Sequence, residues 1–118
     1  NVRCIIADSP YDSAAEIIAK VAKDRKLPAG ILMPFIALAA RLYGGFSIYE
    51  KTASEAVSSS DIPVLVIHGQ RDAFVPSYMS KNIPGKHIIF SDADHCMSCM
   101  VHPEEYDKQI MDFIGTKS

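Results

Sequence analysis

Four residues able to hold metal or move protons and electrons crowd into one stretch of the chain: His95, Cys96, Cys99 and His102. Cys96 and Cys99 have the spacing of a zinc knuckle, yet structural zinc sites generally pair ligands from separate segments, and here all four share one. A thioredoxin-like Cys-x-x-Cys precedes a helix early in its fold, whereas this pair follows the last apolar run of the chain. Both cysteines are therefore expected to pack under a loop as small hydrophobes. That leaves His95 as the residue that matters, and an imidazole that takes protons works best with a carboxylate on its other nitrogen. Carboxylates stand just after the other apolar runs, in Asp8-Ser9-Pro10-Tyr11-Asp12 and in His68-Gly69-Gln70-Arg71-Asp72.

What could bring these groups together is a sheet. Residues 2–7, 63–67 and 87–90 are rich in Val and Ile and lack period-two alternation, so they read as strands buried on both faces. Such strands belong to a parallel sheet covered by helices. The intervening segments have helical periodicity. Asp12 or Ser13 can cap a helix with Glu16 in its first turn and Ile17, Ile18, Val21 and Ala22 as its apolar stripe. Residues 27–43 form a second helical stretch, apolar almost all round and stopped by Gly44-Gly45. Thr52 with Glu55 three residues on predicts another short helix, residues 77–82 a further one, and residues 103–114 the terminal helix. Strands alternating with helices imply a doubly wound α/β domain spanning the whole chain. Ligands in such sheets sit beyond the carboxyl ends of the strands, which is where a carboxylate and His95 both emerge.

Composition narrows the function. The chain has 118 residues, 48% apolar and 22% charged, enough for one packed core. With a net charge of −2 and dispersed basic residues, it lacks the footprint of a nucleic-acid binder. Three cysteines make no disulfide framework, so a reducing cytoplasm is the expected compartment. The longest apolar run, residues 31–40, is interrupted by Pro34 and falls short of the roughly 20 residues a membrane span needs. The first residues, NVRCIIAD, open directly into a strand, as though the chain began mid-protein.

The string IPVLVIHGQRDAFVP resembles the penultimate strand and acid turn of the α/β-hydrolases, and IIFSDADHCM resembles the last strand and histidine loop of that family. ADSPYDS is similar to the end of its sixth strand. The resemblance implies the C-terminal portion of an α/β-hydrolase fold, three parallel strands with flanking helices, in which Asp72 is the triad acid and His95 the general base. It implies an ester or related acyl substrate and no cofactor, with residues 27–50 serving either as a cap over the acyl pocket or as plain core. Family triads run Ser, acid, His along the chain, and Asp72 before His95 supplies the last two. No GxSxG is present, so the nucleophile elbow and oxyanion loop are expected upstream, and this chain alone is expected to be inactive.

Other candidates have plainer expectations. Asp8 could substitute as the acid but more naturally serves a cap or turn, and Asp92 and Asp94 shape a tight loop. His68 should fill hydrogen bonds at its strand's end, His87 and His102 stand at the surface or a helix start, and Arg71 pairs with a nearby carboxylate. Two rivals survive: a non-catalytic interaction module with a hydrolase-like half-fold, and a small metal-binding protein using His95, Cys96, Cys99 and His102. The broad apolar helix and an unpaired first strand also predict self-association.

Overall fold

In the computed structural model, which describes residues 2–115, three strands form one parallel sheet in the order β1 (Ile5–Asp8), β2 (Val64–Gly69), β3 (Lys86–Phe90). Ile5 pairs with Val64 and Asp8 with Ile67 on one side of β2, and Leu65 with Lys86 and Gly69 with Phe90 on the other. The fold is α/β, with helices α1 (Ala14–Asp24), α2 (Ala29–Ala39), α3 (Ala53–Ser58), α4 (Ser98–Val101) and α5 (Pro103–Gly115) flanking the sheet. The first strand is shorter than its apolar run. Its ladder starts where Ile5 donates to the Pro63 carbonyl, because Pro63 has no amide proton with which to extend the pairing.

The alternation along β2 feeds two cores. Leu65 and Ile67 pack with Phe90, Ala93 and Phe113, against which Ile6, Ile88, Tyr106 and Ile110 also rest. Val64 and Val66 face the other way, onto Ile83, Ala53 and Val57. All six residues of β2 are buried, as a central strand covered on both faces must be. Each fully buried aliphatic side chain contributes about 1.5–3 kcal/mol of transfer free energy. A third cluster, Ile17 with Val75 and Met79, docks α1 on the turn that follows β2.

Helix starts follow their caps. Ser13, not Asp12, caps α1 by accepting the Glu16 amide at 3.3 Å. The Asp12 carboxylate instead accepts from the Ser54 amide and hydroxyl at 2.6 and 2.9 Å, tying α3 to the end of β1. Thr52 and Glu55 make the capping box of α3. The apolar helix divides: α2 contains Pro34, ends at Ala39 and continues into a single π turn, Ala40–Gly44, which Gly45 closes at φ 71°. Among the described residues nothing buries a residue of α2. No helix among the described residues is long and apolar enough to cross a membrane.

Candidate active site

Beyond β2 the chain folds back on itself so tightly that it braces against the loop after β3. Gln70 donates its amide to the Phe90 carbonyl at 2.8 Å, Arg71 to Ala93 at 3.1 Å, and Asp72 to Gly69 at 3.3 Å. Gly69 is required here by space. A Cβ on it would lie 2.3 Å from the Ala93 carbonyl oxygen and 2.7 Å from that of Asp94.

The Asp72 side chain is fully buried and each carboxylate oxygen is engaged. Oδ1 accepts from the amides of Phe74 at 3.0 Å and Val75 at 2.7 Å. Oδ2 accepts from Nδ1 of His95 at 2.7 Å. Because a carboxylate can only accept, the proton of that bond sits on Nδ1, and in the neutral ring Nε2 carries the lone pair. The His95 side chain is 36% exposed, and the edge of its ring meets Phe74 with centroids 5.1 Å apart at 65°. Two of the residues expected to do chemistry, 23 positions apart in the chain, are thus joined directly.

His68 supports the turn from beneath. It is wholly buried; its Nε2 donates to the Val75 carbonyl at 2.7 Å and its Nδ1 shares a 2.9 Å bond with the Ser80 hydroxyl. Its Nε2 also lies 3.4 Å from Asp72 Oδ2. The expected structural role is the one it has.

The histidine loop is held at both ends. His102 Nε2 donates to Asp92 Oδ1 at 2.6 Å, and its ring stacks on Phe90 at 5.5 Å and 19°. That hydrogen bond, helped by the charges of His102 and Arg71, holds the Asp92 carboxyl below the usual carboxylate range. At the other end lies a chain of bonds that sequence reasoning missed. The Tyr106 hydroxyl donates to Asp8 Oδ2 at 3.0 Å, the Ser9 hydroxyl to Asp8 Oδ1 at 3.2 Å, and Ser9 Oγ accepts the Cys96 amide at 3.1 Å. Partial burial, then the bond to Asp8 and its charge, push the Tyr106 phenol up to about 12. Asp8 is therefore a brace for the loop and neither a helix cap nor a bonded partner of His95.

The cysteines depart from expectation. Cys96 and Cys99 are both exposed, not packed beneath the loop. Cys96 adopts a left-handed φ of 54°, and the side chain turned inward is that of Ser98. Among the described residues no three His, Cys, Asp or Glu side chains are placed to hold a metal ion.

No family model matches the chain. It is 27% identical over 116 residues to the uncharacterized protein YqkD of Bacillus subtilis (strain 168), an alignment covering 92% of this chain and 38% of that protein. Its fold is similar to the solved structure of the Pyrococcus furiosus esterase PF2001, with a TM-score of 0.62 and 21% identity over 97% of this chain and 44% of the esterase chain. The chain spans about two-fifths of the length of each. At such identity the likeness is one of fold: an α/β sheet of three parallel strands arranged as in part of an esterase.

Proposed function

We propose that this chain contributes the acid and the general base of a serine-dependent acyl hydrolase, with Asp72 as acid and His95 as base. The single observation carrying the reading is the 2.7 Å bond between His95 Nδ1 and a buried Asp72 whose other oxygen is already occupied by two amides. A carboxylate so fixed orients the ring, leaves the Nε2 lone pair to take a proton from an attacking hydroxyl, and stabilises the imidazolium that results. His95 would then return that proton to the departing alcohol. Among the described residues no serine is hydrogen-bonded to His95, and the sequence has no GxSxG. The reading therefore places the nucleophile and the oxyanion donors in a segment outside these 118 residues, in keeping with the partial coverage of both relatives.

Esters or related acyl compounds are the proposed substrates, with no cofactor and a reducing cytoplasm as the compartment. Residues 27–50, with Phe35, Leu38, Leu42 and Phe46 exposed, suit a cap over the acyl group. The same apolar helix and the open edge of β1 would also support self-association. The test is hydrolysis of p-nitrophenyl esters by the product of the full coding sequence. His95→Ala and Asp72→Asn should each lower kcat by about 10⁴-fold while circular dichroism is unchanged. Turnover near wild type in both variants would sink the assignment.

A further inference from the structure

We infer that Cys96 and Cys99 form a thiol–disulfide exchange site on the histidine loop, whose co-reactant is a small, soluble disulfide. Both thiols are exposed, so a small disulfide can reach either. Between them stand Met97, at φ −100° and ψ −1°, and Ser98, the first residue of α4. Two successive right-handed residues reverse the chain, which brings the flanking Cα atoms within about 7 Å. A disulfide needs a Cα separation of about 4.4–6.8 Å, so the bridge is within reach of a small loop movement. The two sulfurs also act on one point, since negative charge on either is felt by the Tyr106 hydroxyl.

Two further features mark the loop as able to move. Cys96 sits at a positive φ that non-glycine residues rarely adopt, which stores local strain. Ser98, between the cysteines, has a fully buried hydroxyl with no hydrogen-bond partner among the described residues. Rearranging the segment between the cysteines would relieve the strain at Cys96 and free the Ser98 hydroxyl to find a partner, against the loss of the bond from Cys96 to Ser9.

The chemistry balances without any further group. One cysteine thiolate attacks a sulfur of the small disulfide, forming a mixed disulfide and expelling one thiolate. The second cysteine then attacks the protein sulfur of that mixed disulfide, forming the Cys96–Cys99 bond and expelling the other thiolate. Two protein thiols are oxidised and one disulfide is reduced to two thiols. Closure must pull on the Cys96 backbone, which Ser9 holds by the 3.1 Å bond and which adjoins His95 directly. The oxidised loop should therefore lose or lengthen the bond from His95 Nδ1 to Asp72. That consequence bears on catalysis only through the role proposed above for His95, whereas the exchange site stands on the cysteines themselves.

The experiment uses the product of the full coding sequence and oxidised glutathione. Intact mass should fall by two hydrogens, and tandem spectra of the peptide containing both cysteines should place the bond between Cys96 and Cys99, with the partly buried Cys4 still free. Cys96→Ser and Cys99→Ser should each stop at a stable glutathione adduct. In the oxidised wild type, the Nδ1 proton resonance of His95 should move or vanish, and dithiothreitol should restore it. A wild-type chain that accumulates only glutathione adducts, or reacts no faster than Cys4, overturns the site. A closed bridge that leaves the His95 resonance unmoved overturns its link to the acid–histidine pair.

Discussion

The strand β2 (VLVIHG) and the helix α2 (AGILMPFIALA) are both dominated by apolar residues, yet all six residues of the strand are buried and none of the helix is. The strand lies between β1 and β3 with a core on either face, so its side chains have nowhere else to go. The helix rests along α1, leaving Ile31, Phe35 and Leu38 in the open and an apolar cavity of about 280 Å³ between the two helices. Apolar content says that a segment needs a partner; topology decides whether this chain provides one. The acid turn inherits its rigidity from the first case, and any cap function of residues 27–50 draws on the second.

Substitutions can break this contrast. Leu65→Ala should cost about 2–5 kcal/mol in urea unfolding, because β2 cannot close the space left between two strands and α5; a loss below about 1 kcal/mol would mean the strand is less confined than its burial indicates. Ser13→Ala should cost about 1 kcal/mol by removing the cap of α1, the helix that lies between the two extremes. Phe35→Ser, on α2, should change stability by no more than about 0.5 kcal/mol. If light scattering shows self-association that this variant weakens, the exposed helix has found its partner in a second copy.

The smallest effect concerns pH. Tyr106 is raised from 10.0 to about 12 in the folded chain, so what its hydroxyl contributes is intact below pH 10 and fades as pH climbs toward 12. Absorbance titration of the tyrosines should show one late component that Tyr106→Phe removes. A set of tyrosines that all titrate together near the ordinary value would break the brace to Asp8.

Much of this was legible in the residues. Three Val- and Ile-rich runs without alternation read as strands whose order brings Asp72 and His95 to one sheet edge, but of the three only the central β2 is buried throughout, while β1 and β3 lie at the edges and stay partly exposed. The Ser9–Asp8–Tyr106 brace was not legible, because it joins residues 98 positions apart and depends on a left-handed φ at Ser9 that no local pattern announces. The choice between Asp12 and Ser13 as cap was settled by Ser54, 42 residues away, which claims the aspartate. The cysteines were misjudged for a similar reason. Residue type favours burial, but the backbone at Cys96 turns the other way and the interior position goes to Ser98.

The missing side chain at Gly69 has a consequence for how this site can vary. Nothing about glycine takes part in proton transfer, yet the two loops meet across a gap narrower than one methyl group. Gly69 acts as a spacer gauge: its bareness fixes how near the acid turn and the histidine loop approach. A mutation there would surface in a screen as poor expression or a lowered melting point, and the loss of the acid–histidine distance behind it would pass unnoticed. A position that carries no chemistry at all is therefore one at which the site tolerates no side chain.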